Sequence, residues 1–580
     1  MSVQQNTSNY VPEQAMPSAG PHDYPWLAAY PKTTRWDLPL KPELLPAVLD
    51  RSVALYGAKP ATSFLGKTMT YAELGDAVNR AAKGLQALGV RPGITVGLLF
   101  PNCPPHIIFY YAILKAGGTV VNFNPLYTVE ELSGQVKDSR IAMMVTLDLK
   151  VTFDKAEAMA KSGVLPRMIV CPFKDLLPSV KSVLFSALKG KDVAKWQGSP
   201  VRSKITTYRE VTANDGRFTA PALAVEDVAV LQYTGGTTGT PKGAMLTHAN
   251  LTCNVQQIDA WFAGTAKGEE TFLCVIPFFH VFAMTGLMNY GLSIGAKLVM
   301  LPRFELVPAL KLISKARPTV MAGVPTLFNA LMNYPGIGKY DLSSLKYCIS
   351  GGAPLPLEVK RGFEKISGCK LVEGYGLSET SPVTHINPLE GPVKEGSIGL
   401  PVPNTVMSLR ALGEPEREVP LGEKGEICIA GPQVMKGYWM RPQETADAFI
   451  DGFFRTGDVA YMDADGFTYI VDRIKDLILC SGYNVYPRRI EEAIYEHPAV
   501  EEVTVIGIPD QYRGEAPKAY IKLRAGHTAT GRDILAFLEP KLSRIEIPSE
   551  IEFRDALPKT LIGKLSKKEL RQELEKGSAS

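Results

Sequence analysis

The 580-residue sequence contains no Cys-x-x-Cys pair and no cluster of histidines. Zinc sites and the disulfide frameworks of secreted proteins need closely or regularly spaced cysteines. The eight cysteines are instead scattered singly, as Cys103, Cys171, Cys253, Cys274, Cys348, Cys369, Cys428 and Cys480. The pattern argues against zinc and predicts reduced core thiols in a cytoplasmic protein.

The sequence also has only a small excess of positive over negative charge. The 63 lysines and arginines nearly balance the 59 aspartates and glutamates, which leaves a net charge of +4. So small a charge over so long a chain gives no reason to expect nucleic-acid binding. The hydrophobic content of 45% and the charged content of 21% are those of an ordinary globular protein. The length exceeds what one hydrophobic core supports, so it predicts two to four domains.

A targeting segment and a membrane span are absent as well. The first residues are polar and lack a basic start followed by an apolar block, so we expect no signal peptide and a flexible tail over residues 1–30. Residues 271–296 contain no Asp, Glu, Lys or Arg over a length that could cross a bilayer. Proline, histidine and glycines interrupt this run, so it predicts a buried strand, a loop and a short helix instead.

Short β-branched runs alternate with amphipathic stretches through most of the chain. Residues 95–100 predict a strand, 105–116 a helix and 118–123 a second strand. This alternation is typical of α/β architecture with largely parallel, buried strands.

The sequence pattern changes near residue 449, where closely spaced turn signals such as Asp451-Gly452 and Asp465-Gly466 begin. A compact segment of short strands and two helices follows. We therefore predict a large N-terminal domain over residues 31–473 and a small C-terminal domain over residues 474–580.

The stretch LQYTGGTTGTPKGAMLTH, residues 231–248, places three glycines and four threonines in seven residues. Glycine lets backbone N–H groups approach a ligand, and hydroxyls beside them donate hydrogen bonds, so the loop suits phosphate oxygens. An apolar run before it and a helix-like run after it predict a strand–loop–helix unit. The P-loop signature fails, because Lys242 follows Pro241 and precedes Gly243. A plain surface turn is the alternative.

Further clusters combine groups that suit a nucleotide. Residues 350–354, SGGAP, could let a flat ring lie against bare backbone, although a tight turn explains them equally well. Residues 373–380, EGYGLSET, place an aromatic ring, a hydroxyl and a carboxylate between glycines, which suits a base, a phosphate and magnesium. Asp458 could accept both hydroxyls of a ribose, or be a solvated turn residue. Lys564 follows a glycine near the chain end, where a solvated lysine is the ordinary alternative.

Five motifs occur in the order and spacing of the adenylate-forming superfamily, which includes acyl-CoA synthetases, firefly luciferases and peptide-synthetase adenylation domains: YTGGTTGTPKG, LVEGYGLSET, FRTGDVA, VDRIKDLILCSGYNVYPRRIEEAI and LPKTLIGKLSKKELR. The resemblance extends over residues 36–571. The segments VVNFNPLYT, PFFHVFAMT, GSIGLPVPNT and GPQVMKGYW make the chain look most like bacterial long-chain fatty acyl-CoA synthetases. The fold implied is a large, multi-subdomain N-terminal α/β domain with a small, mobile C-terminal α+β domain.

The resemblance implies two half-reactions. A fatty acid and ATP give acyl-adenylate and pyrophosphate, and the thiol of coenzyme A then displaces AMP to give a thioester; Mg²⁺ is the implied metal. A carboxyl group with a pKa of about 4.3 is already ionised, so the first attack needs no general base. Three alternatives stay open: a ligase for a medium-chain or aryl acid, a non-catalytic membrane-associated nucleotide-binding or transport protein, and an adenylation domain that serves an adjoining carrier segment.

The resemblance also implies a role for each matched position. Residues for the β- and γ-phosphates are Thr234, Gly235, Gly236, Thr237, Thr238, Gly239 and Lys242. Ser378 would contact the α-phosphate, and Glu379 would hold Mg²⁺ together with Thr234. Tyr375 would stack on adenine, with Gly351, Gly352 and Ala353 beneath the ring, and Asp458 and Arg473 would hold the ribose. Glu373, Gly374 and Gly376 are the further residues assigned to the nucleotide. Lys564 would neutralise charge between the carboxylate and the α-phosphate. His280 would lie between the ATP and acyl sites, with a satisfied core histidine as the alternative.

The hinge of the superfamily falls on Lys475. Rotation there would withdraw Lys564 and bring Gly482 toward the site, where the missing side chain leaves room for the pantetheine arm. The apolar segments 277–288 and 321–326 are the expected walls of the acyl site.

Residues 177–196, LPSVKSVLFSALKGKDVAKW, place apolar side chains on one helical face and lysines elsewhere. The pattern suits an anionic membrane surface, and equally an ordinary surface helix packed on the core. We therefore expect a cytoplasmic protein and leave open both peripheral contact with the inner face of the plasma membrane and a homodimer.

Overall fold

The computed structural model describes residues 24–234, 241–560 and 564–578. Within these residues the α-helices, α1 to α17 in chain order, are Leu45–Tyr56, Tyr71–Ala87, Pro104–Lys115, Val129–Ser139, Lys150–Lys161, Ser179–Lys189, Tyr208–Thr212, His248–Trp261, Val281–Ala283, Tyr290–Ser293, Leu306–Ala316, Pro325–Met332, Leu357–Ser367, Pro442–Asp447, Pro487–Tyr495, Gly531–Leu538 and Lys567–Ser578.

The strands of the same residues, β1 to β27 in chain order, are Pro60–Phe64, Lys67–Thr70, Thr95–Leu99, Thr119–Phe123, Met143–Leu147, Met168–Cys171, Ile205–Thr207, Val228–Tyr233, Gly243–Thr247, Thr271–Cys274, Lys297–Met300, Val320–Gly323, Tyr347–Gly351, Lys370–Gly376, Val383–Ile386, Leu400–Pro401, Val406–Ala411, Glu414–Glu418, Gly425–Ala430, Phe449–Ile450, Phe453–Met462, Thr468–Arg473, Ile478–Cys480, Tyr483–Val485, Val500–Asp510, Gly514–Leu523 and Glu550–Phe553.

Two large, mainly parallel sheets form the first part of the chain. One has nine strands in the order β16-β15-β14-β13-β12-β10-β11-β1-β2, and the other has seven in the order β7-β6-β5-β3-β4-β8-β9. Residues of both sheets belong to one continuous hydrophobic core, in which every residue of α3 is buried. The α/β class expected from the alternating sequence is confirmed.

The parallel strands explain where the motifs meet. Strand β8 ends at Tyr233, β13 at Gly351 and β14 at Gly376, and one of the glycine-rich or polar motifs begins at the end of each or directly after it. In open α/β sheets ligands bind beyond the carboxyl ends of the parallel strands, because the connecting loops gather at that edge.

An antiparallel, six-stranded sheet built from β17 to β22 follows the two large sheets. It ends at Arg473, and a short 3₁₀ turn, Ile474–Asp476, leads into a separate five-stranded sheet of β23 to β27. That last sheet packs on α15 and α16 around its own hydrophobic core, which contains Ile478, Val503 and Leu538. We call residues 474–578 the small lobe.

The predicted strand–loop–helix unit around the glycine-threonine loop is wrong. Strand β9 follows the loop and pairs antiparallel with β8, with Gln232 opposite Ala244. The helix α8 begins only at His248, where the Thr247 hydroxyl accepts a hydrogen bond from the N–H of Asn250. The segment forms a strand because alternate residues such as Ala244 and Leu246 are fully buried in the core.

The chain departs from the predicted flexible tail at residues 24–30. Trp26 is 1% exposed and stacks on Tyr24 with ring centroids 4.6 Å apart, so this segment is docked on the large domain. Residues 271–296 form β10 and short helical pieces that include a π-helix at Met284–Asn289, as their interrupted sequence predicts. None of the helices in the described ranges combines the length and the apolarity that a bilayer crossing needs. All eight cysteines are buried free thiols.

Candidate active site

A cleft of about 2730 Å³ lies between the large domain and the small lobe. Its volume is several times that of a drug-sized pocket, so it has room for more than one substrate. The predicted site residues that line it are Thr234, His280, Gly351, Gly352, Ala353, Glu373, Gly374, Tyr375, Gly376, Ser378, Glu379, Asp458, Arg473, Lys475 and Lys564.

The two stems of the glycine-threonine loop meet at the cleft edge. The backbone N–H of Thr234 donates to the carbonyl of Lys242 at 2.9 Å and closes the β8–β9 hairpin. The Lys242 amine lies 5.0 Å from the centre of the Tyr438 ring. Residues 235–240, which include the predicted Gly235, Gly236, Thr237, Thr238 and Gly239, lie outside the described residues.

Glu379 lies in the short turn Ser378–Thr380 that follows β14. Its Oε1 accepts a hydrogen bond of 2.8 Å from the hydroxyl of Tyr438. Burial raises the pKa of the Glu379 carboxyl, and the Tyr438 hydrogen bond opposes that rise. Across the described part of the chain no three His, Cys, Asp or Glu side chains converge as a metal cage. A single carboxylate that lines the cleft at the predicted phosphate site fits Mg²⁺, which is commonly held by one or two carboxylates together with substrate phosphates.

Asp458 joins three elements of the predicted nucleotide site. It is 2% exposed. Its Oδ2 accepts from the Tyr375 hydroxyl at 2.6 Å, and its Oδ1 contacts Arg473 Nε at 2.9 Å. Asp458 also lies directly opposite Arg473 in the β21–β22 register. Each carboxylate oxygen has a second lone pair, so the pair of oxygens can still accept from two ribose hydroxyls.

Lys564 of the small lobe fits into a notch in the large domain. A Cβ added to Gly352, which has a φ of +81°, would lie 2.6 Å from Lys564 Cε and 2.9 Å from Nζ. Desolvation and the neighbouring Arg473 lower the pKa of the Lys564 amine to about 8, while Asp458 opposes the shift. The bare backbone at Gly352 therefore admits the lysine to the same cleft that Tyr375 and Asp458 line.

His280 faces the cleft with one ring nitrogen already occupied. Its Nδ1 accepts a hydrogen bond from the N–H of Phe282 at 3.3 Å, which assigns the ring proton to Nε2. Burial and the charge of Lys564 lower the pKa of His280 to about 3, so the imidazole is neutral at physiological pH. A neutral Nε2–H is a donor suited to an anionic oxygen in the cleft.

Glu373 lies where the large domain meets the small lobe. Burial raises the pKa of its carboxyl to about 7, and the charge of Arg488 from α15 opposes the rise. The N–H of Leu355 donates to Glu373 Oε1 at 3.4 Å. The hydrogen bond of the Glu373 side chain thus lies within the large domain, and the charge of Arg488 reaches it from the small lobe; its predicted role in binding the nucleotide stays a prediction.

The predicted hinge residue Lys475 lines the cleft, whereas Gly482 does not. Lys475 lies in the 3₁₀ turn between the lobes and lines the cleft. Gly482 lies outside the cleft, in the turn between β23 and β24, with a φ of +82° and no atom within 4 Å of an added Cβ. Gly482 is therefore open to solvent in the arrangement that holds Lys564 in the cleft.

Both predicted acyl walls reach the cleft: segment 277–288 contributes Phe279, Val281 and Phe282, and segment 321–326 contributes Pro325 and Thr326. Two polar residues beside them were missed, Asn122 of β4 and Gln232 of β8. The Asn122 amide donates to Gln232 Oε1 at 3.2 Å, and Gln232 Nε2 donates to the carbonyl of Phe279 at 3.0 Å. A polar side chain within an otherwise apolar buried strand was the available signal.

Solved structures with the same fold define the class of the protein. The ATP-bound MatB from Rhodopseudomonas palustris is 29% identical with a TM-score of 0.80, and the alignment covers 92% of this chain and 99% of that one. The anthranilate CoA ligase AuaEII in complex with anthranoyl-AMP is 25% identical with a TM-score of 0.81, over 94% of this chain and 99% of that one. The fold and the cleft define an adenylate-forming enzyme.

Two family matches cover most of the chain. The AMP-binding enzyme family matches residues 49–439, and the AMP-binding enzyme C-terminal domain matches residues 489–564. The protein belongs to the AMP-binding enzyme family. It is similar to the long-chain-fatty-acid–CoA ligase of Bacillus subtilis strain 168, at 43% identity over 95% of this chain and 98% of the relative. It is also 35% identical to the feruloyl-CoA synthase of an Amycolatopsis species, over 87% of this chain and 94% of the relative.

Proposed function

We propose that the chain is an ATP-dependent ligase that converts a long-chain fatty acid into acyl-adenylate and then into acyl-CoA, releasing pyrophosphate and AMP. The observation that carries this proposal is the position of Lys564, which reaches from the small lobe past Gly352 into the cleft. A protein that only bound a nucleotide would not need a cation delivered by a separate lobe. The similarity to long-chain-fatty-acid–CoA ligases supports the choice of acid.

The first half-reaction brings two negatively charged reactants together. The carboxylate must approach the α-phosphorus of an anionic triphosphate while pyrophosphate leaves, so positioning and electrostatic stabilisation dominate the barrier. Protonated Lys564 neutralises charge where the two anions meet. Ser378 contacts the α-phosphate, and Thr234 and Lys242 hold the outer phosphates at the stem of their loop. Glu379 would hold Mg²⁺, which would supply positive charge beside the phosphates.

The nucleoside is held by the Asp458 network. Asp458 receives the ribose hydroxyls while Arg473 and Tyr375 fix its two oxygens. The backbone at Gly351 and Gly374, which lie side by side in the β13–β14 register, supplies the flat surface for adenine.

The second half-reaction requires a different lobe position. The thiol of coenzyme A attacks the carbonyl carbon, the carbon–sulfur bond forms, and the bond to the AMP oxygen breaks. Lys564 fills part of the cleft beside the reacting centre, so the lobe turns at the segment around Lys475 and withdraws it. Gly482 comes from outside the cleft and leaves space for the pantetheine arm, because its added Cβ position is open.

A series of acids tests the proposal directly. Pyrophosphate release is measured with acetate, octanoate, palmitate, oleate and ferulate, with and without coenzyme A. We expect the highest kcat/KM with palmitate or oleate and thioester formation only with coenzyme A. Preference for octanoate or ferulate would identify a medium-chain or aryl ligase, and no ATP consumption with any acid would reject the enzyme.

Helix α6 supports a second proposal, that the protein contacts an anionic membrane at its surface. Its apolar side chains Val180, Val183, Leu184 and Leu188 are 82%, 73%, 55% and 69% exposed, so the helix does not pack its apolar face on the core. The predicted face also included Leu177, which is buried and precedes the helix. Residues 171–204 contain seven basic and two acidic residues, a net charge of +5 against +4 for the whole chain. Exposed apolar rows beside lysines bind anionic lipid.

Vesicle sedimentation tests this surface. Changing Lys189, Lys191 and Lys195 to glutamate should lower binding to vesicles that contain phosphatidylglycerol by at least about 100-fold, since each basic residue near such a surface contributes about 1 kcal/mol and tenfold corresponds to about 1.4 kcal/mol. Lys181 is left intact because its amine donates to the Leu65 carbonyl at 2.7 Å and holds the helix. Unchanged binding would remove the proposal, and concentration-dependent self-association without lipid would assign the surface to a second copy.

A further inference from the structure

One short segment of the large domain contacts both the Ser378–Thr380 turn and the hairpin of β8 and β9. We call residues 435–441, MKGYWMR, the tether segment. The N–H of Met435 donates to the carbonyl of Glu379 at 2.7 Å. The N–H of Lys436 and the carbonyl of Gly437 both pair with Met245 at 2.9 Å. The tether segment therefore joins the Ser378–Thr380 turn to strand β9.

The same segment fixes both stems of the glycine-threonine loop. The N–H of Trp439 donates to the carbonyl of Gly243 at 2.7 Å, directly after the loop. Arg441 Nη2 contacts Asp138 Oδ1 at 2.6 Å, and Asp138 Oδ2 accepts from the Tyr233 hydroxyl at 2.6 Å, directly before the loop. Two stems that are held by one segment keep a constant distance from the turn that carries Glu379.

Tyr438 is the one tether residue whose side chain contacts two predicted phosphate-site groups. Its hydroxyl donates to Glu379 Oε1 at 2.8 Å, and its ring centre lies 5.0 Å from the Lys242 amine. A hydrogen bond to a carboxylate is stronger than one between neutral groups. A cation near the face of an aromatic ring is attracted by the electrons of the ring. Burial and the adjacent Glu379 raise the pKa of the Tyr438 hydroxyl, so the phenol remains a donor.

The two contacts of Tyr438 are with groups of opposite charge. The hydroxyl fixes the negative group proposed to hold Mg²⁺, and the ring fixes the positive group proposed to hold the outer phosphates. Opposite charges attract more strongly in a partly buried site than in water, so each group gains from a contact that fixes its position. Because Tyr438 contacts both groups, it can hold each of them in a fixed position.

We infer that Tyr438 is a positioning residue that orients Glu379 for the metal ion and Lys242 for the outer phosphates of a nucleoside triphosphate. The inference rests on the proposed function, which supplies the roles of the two groups. It adds a residue that contacts neither reactant and acts through its neighbours.

Two variants separate the functions of the hydroxyl and the ring. Tyr438→Phe removes the donor to Glu379 and keeps the ring beneath Lys242. Tyr438→Leu removes both. The matched control is Tyr71→Phe, which removes a buried hydroxyl that donates to the Ala296 carbonyl at 2.7 Å in the core, away from the cleft.

Binding is measured without turnover. Mn²⁺ replaces Mg²⁺ in the presence of the non-hydrolysable analogue α,β-methylene-ATP, and bound metal is followed by electron paramagnetic resonance. Tyr438→Phe should raise the Kd of Mn²⁺ about tenfold, the effect of losing one hydrogen bond to a charged group, with the Kd of the analogue changed less than about twofold. Tyr438→Leu should weaken both. Tyr71→Phe should lower the melting temperature and leave both constants unchanged.

The outcomes distinguish the inference from the function on which it rests. Equal Mn²⁺ affinity in wild type and Tyr438→Phe would overturn the inference, whatever the catalytic activity of the variant. A fall in Mn²⁺ affinity in Tyr71→Phe as large as in Tyr438→Phe would also overturn it, because general destabilisation would then explain the loss. Failure of the wild type itself to bind the metal–nucleotide complex would overturn the proposed function instead.

Discussion

The two walls of the cleft are held in place by different forces. The large-domain wall consists of the ends of β13 and β14, which belong to a nine-stranded sheet and share its buried core. The small-lobe wall rests on side chains: Arg524 lies 3.3 Å from Glu358, and the Lys424 amine lies 4.2 Å from the Tyr486 ring centre. Partly exposed ion pairs contribute about 0–1 kcal/mol, far less than a shared core.

This difference explains how one cleft serves two reactions. The small lobe has its own core, so it can turn as a unit without unfolding. The described hydrogen bonds and ion pairs between the walls, which include the bond from the N–H of Arg488 to Asp472 Oδ2 at 2.9 Å, are not part of a shared apolar core. The proposed mechanism uses this difference, since a mobile lobe on a rigid wall would deliver Lys564 for the first step and remove it for the second.

The largest effect should follow Lys564→Ala, which removes the only group proposed to come from the moving wall in the first step. Adenylate formation should fall by roughly 10³-fold, the upper range for losing one charge-stabilising group. Thioester formation from supplied acyl-adenylate should stay within a few fold of wild type. The two half-reactions are measured separately by pyrophosphate release and by thioester formation, and an equal loss in both would reject the role.

Gly352→Ala tests the fixed wall at the point where the lysine enters. The new Cβ would lie 2.6 Å from Lys564 Cε and displace the amine, so adenylate formation should fall by about 10²-fold, as expected for a misplacement of about 1 Å. Gly368→Ala is the matched control, since Gly368 has a φ of +70° and no atom within 4 Å of an added Cβ. A loss in the control as large as in Gly352→Ala would assign the effect to backbone strain.

Lys475→Pro tests the connection between the walls. Proline fixes its own φ and restricts the residue before it, so the turn loses the freedom that rotation requires. Thioester formation from supplied adenylate should fall about tenfold, equivalent to about 1.4 kcal/mol, while adenylate formation is spared. Equal losses in the two steps would argue against rotation at this turn.

The pH dependence should show the smallest change. The pKa of Lys564 is lowered to about 8 in the cleft, and the protonated amine is the active form, so kcat/KM for adenylate formation should fall as pH rises through about 8. Bound triphosphate stabilises the charged amine, which moves the same limb of kcat to higher pH. Lys564→Arg should remove the limb below pH 10, and an unchanged limb would assign it to another group.

The sequence predicted which residues line the cleft better than it predicted the contacts between them. Gly351, Tyr375, Asp458 and Lys564 stand in separate short motifs, and all of them line the cleft. Their motifs could be found because glycines, turns and isolated charges disrupt the apolar pattern at strand ends.

Other features depend on contacts that are distant in sequence. The hydrogen bond from Tyr438 to Glu379 joins residues 59 positions apart. The pattern of residues 243–247 suits either a helix start or a strand, and only pairing with β8 decides between them. The exposed face of α6 has the spacing of a buried face, so periodicity alone could not show that the core leaves it uncovered.

A reversible lock on the lobe is the most direct test of the account. Glu358 and Arg524, which contact each other across the two walls, are replaced by cysteines and joined with a cleavable bis-methanethiosulfonate linker; all eight native cysteines are buried, so labelling is selective. The locked enzyme should form acyl-adenylate and no thioester, and reduction should restore thioester formation. Thioester formation by the locked enzyme at the rate of the reduced one would contradict the moving lobe.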